Sequence, residues 1–284
     1  MNNTGWIIYE PDDAVKNSWF IEKLQKELKA CELKLVYTDK LRDLSLNDAD
    51  LPLFIINRSR NADIAYHYEE KGVRIFNPGK VTEIGNDKDL SYALADRLGI
   101  KYMPYISVET VSYTEISRMA YDFGYPLVMK PSDGHGGRHV FLIRDNDELH
   151  TALQDIKHTI HPYKKLILQK PCSVAGRDLR IYLINNNPVA AMLRCADKDE
   201  DFRANFSLGG TASLITPTKE EKNMAEKISK ALPSDFIGID LIYDGDGLPV
   251  FNEIEDAVGS RMLYTYTDID IIKMFADHIL HSLS

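Results

Sequence analysis

Cysteine is scarce in this chain: 3 residues in 284, at Cys31, Cys172 and Cys195, an odd count at wide and irregular spacing. That spacing excludes a disulfide framework and a zinc-ligand pattern, and free thiols point to a cytoplasmic protein. The 8 histidines fall at no metal-ligand spacing either. No apolar run approaches the roughly 18 residues that a membrane span requires. Met1 to Pro11 lacks a basic region followed by an apolar one, so no signal peptide is expected. Positive charge is in deficit, with 34 Lys and Arg against 43 Asp and Glu and a formal net charge of −9. That sign argues against nucleic acid and anionic membranes as partners, although a bulk count is blind to a local basic pocket. Repeats and low-complexity tracts are absent, which removes solenoid readings. The first half carries no G-x-G-x-x-G, so no dinucleotide site is expected there.

What is present is ordinary for a globular protein: 44% hydrophobic and 27% charged residues. The length suits two domains of roughly 150 residues, or one large one. Over residues 1–85, strand-like runs (Trp6 to Tyr9, Leu33 to Tyr37, Leu51 to Ile56, Val73 to Phe76) alternate with helical patterns from Pro11 to Cys31 and from Asn61 to Lys71. That alternation predicts an open, mostly parallel α/β sheet. Helices are then expected over Asn86 to Leu98 and Thr114 to Phe123, each closed by a glycine. Strands Tyr125 to Lys130 and His139 to Ile143 flank a glycine-rich loop, and a helix follows from Asp145 to Lys157. Beyond Leu166 strands dominate: Leu166 to Lys170, Asp178 to Ile184, Pro188 to Cys195, Phe236 to Tyr243 and Leu248 to Glu255. Helices are expected over Thr218 to Leu232 and Asp268 to His281, so this larger part reads as α+β.

Three features carry chemistry. In the first, a strand ends at Lys130 and returns at Val140 through Gly134, Gly136 and Gly137. Clustered glycines let backbone N–H groups approach phosphate oxygens, and a lysine adds a point charge. A plain glycine-containing hairpin loop is an equally good reading of this feature taken alone. In the second, Asp240 lies on one strand and Glu253 and Glu255 on the next. Residues two apart share a strand face, so the glutamates point the same way with Asp240 close to opposite Glu253. Three such carboxylates repel one another unless a hard divalent cation joins them; the alternative is a solvated acidic face. In the third, Asp178 and Arg180 share a face, with Arg194 and Arg203 in or just beyond the next strand. Arginines in such a place stabilise charge on a transferring phosphoryl group, or simply form surface ion pairs.

Taken in order, Lys130, the glycine loop, Gly176-x-Asp178-x-Arg180, Phe202-Arg203-x-Asn205, Gly209-Gly210, Asp240 and Glu253-x-Glu255 resemble the ATP-grasp superfamily, and more narrowly its RimK-like and LysX-like carboxylate–amine ligases. The resemblance runs from about Gly85 to Ile279. It implies a pre-ATP-grasp α/β domain over residues 1–85, a central lid subdomain over 86–167 and a C-terminal subdomain with the metal site over 168–284. It implies ATP between two sheet-bearing subdomains. Lys88 and Lys130 would reach the nucleotide, with Gly134, Gly136 and Gly137 over its phosphates. Gln169, Lys170, Pro171 and Cys172 would form the hinge at the adenine, and Asp178 would contact the nucleotide near the ribose. Arg203 and Asn205 would lie near the phosphates. Asp240, Glu253 and Glu255 would hold one or two Mg²⁺, with Mn²⁺ the alternative ion. Two departures stand out. Glu255 occupies the place of a usual Asn, and Asp256 to Leu263 replaces a Ser-Pro-Gly-Leu stretch.

The activity implied is ATP-dependent formation of an amide or peptide-like bond through an acyl phosphate. Arg180, Arg194 and Arg203 are expected to hold the transferring phosphoryl group or the carboxylate, and Arg261 to contact a substrate carboxylate. Cys172 and Cys195 read as packing residues. The partners would be an amine and a small-molecule, peptide or carrier-bound carboxylate. A homo-oligomer is a common state for soluble enzymes. Two other readings are a small-molecule kinase on the same fold and a non-catalytic ATP-binding scaffold.

Overall fold

The computed structural model describes residues 3–41, 51–109, 112–137, 139–157, 165–172, 176–195 and 211–284. The N-terminal part runs β1 (Thr4–Tyr9), α1 (Pro11–Lys16), α2 (Ser18–Glu27), β2 (Glu32–Tyr37), β3 (Phe54–Asn57), α3 (Ala62–Glu70) and β4 (Arg74–Phe76). The strands form a parallel sheet in the order β2-β1-β3-β4. Proline at the first position of α1 loses nothing, because its missing N–H would have been unpaired there. The single helix expected from Pro11 to Cys31 is divided at Asn17. Its backbone leaves the helical region and its side-chain amide donates to the carbonyl of Asp13 at 2.8 Å.

The chain continues through α4 (Gly79–Gly85) and α5 (Lys88–Arg97) into a second sheet. Asn77-Pro-Gly follows β4 and opens α4, with Gly79 tucked beneath Tyr66 where a Cβ would come within 2.6 Å of the ring. The second sheet is antiparallel, ordered β5-β8-β6-β7, from β5 (Tyr105–Val108), β6 (Leu127–Pro131), β7 (Phe141–Ile143) and β8 (Leu166–Gln169). Two amphipathic helices, α6 (Tyr113–Phe123) and α7 (Asn146–Lys157), supply its apolar partner. The third sheet is also antiparallel. It contains β9 (Arg177–Ile184), β10 (Asn187–Cys195), β11 (Thr211–Leu214), β12 (Phe236–Tyr243) and β13 (Pro249–Glu255), ordered β11-β10-β9-β12-β13. The remaining helices are α8 (Lys219–Ala231), α9 (Arg261–Tyr266) and α10 (Ile271–Leu283). A reciprocal bond pair between Thr218 and Glu221 starts α8. The class is the expected one, an open α/β unit followed by mixed sheets and helices. The elements not expected, α4, α9, β5 and β11, are each too short to show a period.

Packing crosses the chain order. Tyr92, Leu94 and Ala95 of α5 share one core with Ile239, Phe251 and Ile254 of the third sheet. Phe20 and Leu24 of α2 share another with Tyr182, Phe236, Phe275 and Ile279. The expected boundary at 85/86 therefore falls between two helices that both pack toward β13, and β8 straddles the one at 167/168.

A seam of hydrogen bonds fixes the segment just after β13. The Asn77 amide donates to the Phe236 carbonyl and to the Asp256 carboxylate at 2.8 Å each, while its oxygen accepts from the N–H of Asp235 and of Phe236. The Arg58 guanidinium, stacked on Phe20, donates to the carbonyls of Ala257 and Val258 at 3.2 and 2.9 Å. Val258 lies against Gly238, where a Cβ would be 2.8 Å from its methyl group. The first sheet thus clamps the exit of the strand that carries Glu253 and Glu255.

Candidate active site

The third sheet gathers charge by register. Asp178 and Arg180, two apart on β9, lie opposite Arg194 and Met192 of β10. Arg180 lies opposite Asp240 of β12, Asp240 opposite Glu253 of β13, and Gly238 opposite Glu255. Acids and bases thus gather together across four strands. Arg180 grips Asp240 with two parallel bonds, Nε to Oδ1 at 2.7 Å and Nη2 to Oδ2 at 2.6 Å, and reaches Glu255 at 2.9 Å. Arg194 grips Asp178 in the same two-point way and also donates to Asp240 at 2.6 Å. Asp240 has no solvent exposure. Burial alone would raise its pKa, but the two guanidinium groups outweigh burial and hold the carboxyl down at about 2.

A bulge in β13 then changes which side chains face out. Asp240 pairs with Glu253 but Leu241 pairs with Phe251, so Asn252 is an extra residue on β13. Phe251 and Ile254 both enter the core, and Asn252 and Glu253 both face the cleft. In a regular strand Asn252 and Glu253 would point to opposite faces.

The facing wall comes from the second sheet and α5. Asp87 caps α5, its carboxylate accepting from the N–H of Asp89 at 2.9 Å, which sets Lys88 at the helix start. Lys88 donates to the Gly134 carbonyl at 2.5 Å and pairs with Glu253 at 3.2 Å. Lys130, on β6, is buried, and its ammonium meets Tyr92 Oη at 3.0 Å, Gln169 Oε1 at 2.9 Å and Asn252 Oδ1 at 3.3 Å. Burial pushes this lysine down to about 8. Gly136 and Gly137 both take positive φ, at 67° and 72°, a conformation that a side chain would strain. Between the walls lies an open cleft.

Lys88, Lys130, Gly134, Gly136, Gly137, Gln169, Lys170, Pro171, Cys172, Asp178 and Glu253 all line this cleft. The Lys170 N–H is already committed to the Pro104 carbonyl at 2.8 Å, and its ammonium lies over Phe123. Contact with an adenine would therefore fall to the Lys170 carbonyl or to residues 171–172. Arg180 and Arg194, expected to hold the transferring phosphoryl group or the substrate carboxylate, are paired with the carboxylates of Asp240, Glu255 and Asp178. Arg203 and Asn205 lie outside the described residues. Arg261 is not among the cleft residues. It donates to the Lys16 carbonyl at 2.7 Å and lies over Trp19, on the first domain. Tyr92, Asn252 and Arg177 were not expected at the site. Tyr92 fell inside the helix expected over Asn86 to Leu98, and only the bulge turns Asn252 inward.

The acidic group fits a magnesium ion. One oxygen from each of Asp240, Glu253 and Glu255 lies within 4.8 Å of the others, the one such acid, His or Cys cluster among the described residues. The donors are hard oxygens, as magnesium prefers. Asp240 accepts three hydrogen bonds and a carboxylate offers about four lone-pair positions, so it retains capacity for a cation. Asp178, Asp240, Glu253 and Glu255 are outnumbered by Lys88, Lys130, Lys170, Arg177, Arg180 and Arg194, six bases against four acids. The direct ion pairs to Lys88, Arg180 and Arg194 relieve the repulsion within the acidic group.

Similarity to known proteins agrees with this geometry. The model of the RimK-like ATP-grasp domain matches residues 85–279. A probable alpha-L-glutamate ligase of Histophilus somni is 29% identical over 261 residues, covering 90% of this chain and 85% of its own. Human N-acetylaspartylglutamate synthase A is 33% identical over 182 residues, 62% of this chain, which spans 45% of that longer protein. Among solved structures, the D-cycloserine synthetase DcsG superposes with a TM-score of 0.75 at 16% identity, over 99% of this chain and all of that one, and so shares the fold. Among the described residues no helix is long and apolar enough to cross a membrane. The chain belongs to the RimK-like ATP-grasp family and is an ATP-dependent carboxylate–amine ligase.

Proposed function

We propose that ATP lies in the cleft with its phosphates between Lys88, Lys130 and the 134–137 loop on one wall and the acidic face on the other, and that the acid substrate is an amino acid or a peptide. The observation that carries this reading is the placement of a buried lysine and a positive-φ glycine loop directly across from three converging carboxylates. The two relatives above are named for glutamate or a glutamate-containing product, which supports an amino-acid or peptide substrate here.

A carboxylate oxygen of the acid attacks the γ-phosphorus of ATP, and ADP leaves. The amine then attacks the carbonyl carbon of the acyl phosphate, forming the C–N bond as phosphate departs and the amine gives up a proton. Lys130 and Lys88 place positive charge beside the phosphates, and the glycine loop offers backbone donors. Arg180 and Arg194 act through the carboxylates they hold, fixing Asp240 and Glu255 in place. Magnesium held by Asp240, Glu253 and Glu255, as one ion or two, would neutralise phosphate charge. On sequence, Arg203 and Asn205 belong near the phosphates. Arg261 is kept as the candidate contact for a substrate carboxylate on its sequence position after β13 alone, since it lies outside the cleft lining. Free thiols and the need for ATP support a cytoplasmic location.

The test is hydroxamate formation from Mg-ATP, hydroxylamine and pooled amino acids and small peptides. Carboxylate-dependent hydroxamate with matching ADP release is expected. A stable phosphorylated product in place of hydroxamate would overturn the ligase chemistry for this site. The pH dependence gives a second check. The Lys130 ammonium is charged below about 8 and loses its proton as pH rises through that value. Affinity for a non-hydrolysable ATP analogue should therefore fall above that pH by up to roughly tenfold per unit. Lys130→Met should bind weakly with no such slope. A wild-type affinity that is flat from neutral to alkaline pH would remove Lys130 from the phosphates.

A further inference from the structure

Lys130 is held in an unusual way for a buried cation. An ammonium has three N–H donors, and here all three find oxygen acceptors, none of them charged: Tyr92 Oη, Gln169 Oε1 and Asn252 Oδ1. The nearby acid, Glu253, pairs with Lys88 instead. The acceptors come from three separate elements, α5, β8 and β13. Gln169 also donates its amide N–H to Tyr92 Oη at 3.0 Å, so the phenol and the amide orient each other as well as the lysine. Tyr92 is fully buried, with its ring 5.7 Å from the ammonium. Asn252 is the extra residue of the β13 bulge, and the bulge is what brings its amide to the cleft.

This arrangement has a physical consequence. A carboxylate in place of any one acceptor would neutralise the ammonium and reduce its attraction for an incoming anion. Neutral dipoles satisfy the three N–H groups, fix their directions and leave the full positive charge for a ligand. Burial outweighs the pull of Glu253 and lowers the Lys130 pKa. Asn252 makes the longest of the three bonds and reaches the ammonium from the opposite wall of the cleft.

We propose that Tyr92 and Asn252 are positioning residues for Lys130, forming with Gln169 a charge-neutral cradle that aims its ammonium at the phosphates of the bound nucleotide. This rests on the reading of Lys130 as a phosphate contact, and the test separates the two.

The measurement is the ratio of ATP to adenosine affinity, with ATP binding followed by calorimetry and adenosine by ligand-observed NMR. A variant that merely loosens the fold loses both ligands, whereas one that misdirects Lys130 loses only the phosphate share. Asn252→Asp keeps the side-chain shape and adds a charge. It should lower the ratio at least tenfold, and Asn252→Ala, which removes the acceptor without adding a charge, should lower it several-fold. Tyr92→Phe keeps the ring and removes the shared acceptor, and should lower the ratio several-fold with adenosine affinity unchanged. In a Lys130→Met background the Asn252→Asp effect should vanish. If Lys130→Met alone leaves the ratio unchanged, Lys130 does not contact phosphate and the underlying reading fails. If Lys130→Met lowers the ratio but Asn252→Asp and Tyr92→Phe do not, or if Asn252→Asp costs as much without Lys130 as with it, the cradle is overturned.

Discussion

Glu253→Gln is expected to lower ligation by roughly 10³-fold while leaving the fold intact. Glu253 is partly exposed, reaches Lys88 at 3.2 Å, and shares the acidic face with Asp240 and Glu255. Replacing it by an isosteric amide removes one negative charge from a group of three that repel one another. The folded protein therefore loses little, and the melting temperature should move by no more than about 2 °C. The loss is confined to the charged ligand. Calorimetric titration of ATP with and without magnesium should show a magnesium-dependent gain in affinity for the wild type and almost none for Glu253→Gln. Near-normal turnover in a folded Glu253→Gln protein would sink the metal assignment.

The second large effect is on stability. Arg180→Met should destabilise the protein by about 3–5 kcal/mol, because it leaves Asp240 with no solvent exposure and one of its two guanidinium partners gone. For a chain of this size that amounts to a fall in melting temperature of roughly 10 °C. The acid limb supplies an independent check. The Asp240 carboxyl is depressed to about 2 in the folded protein, below its unfolded value, so its contribution is present above about pH 4 and is lost as pH falls toward 2. Without Arg180 the carboxyl rises and is protonated sooner. The stability gap between wild type and Arg180→Met should therefore be widest near neutrality and shrink below about pH 4. A gap that stays constant down to pH 2 would mean that Arg180 acts by packing and not by charge. Arg194→Met should behave similarly, since it leaves Asp178 without its two-point partner.

Much of the site was legible before the fold. The two-residue period of a strand placed Glu253 and Glu255 on one side, and a short hairpin placed Asp240 opposite Glu253, as the register has it. Asp178 and Arg180 shared a face for the same reason. The roles of Arg180 and Arg194 were harder. Two arginines near a phosphate site suggest phosphate contacts, and only cross-strand register shows each of them facing an acid. Arg261 is a similar case. Its place after the metal strand pointed to substrate, and the structure lays it on Trp19 and the Lys16 carbonyl of the first domain.

Local periodicity and turn chemistry thus determined the elements and the convergence of the three carboxylates, because strand alternation and a tight hairpin act over a few residues. Tertiary structure decided everything that depends on partners distant in sequence. Lys130 meets Asn252 across 122 positions and Tyr92 across 38, and Arg58 reaches Val258 across 200. One inserted residue in β13 turns Asn252 from the core face to the cleft, because a strand that gains a residue changes the side on which its alternation continues. No window of sequence contains that information. It arises when Phe251 and Ile254 both seek the same core, and the residues between them are left to face the cleft.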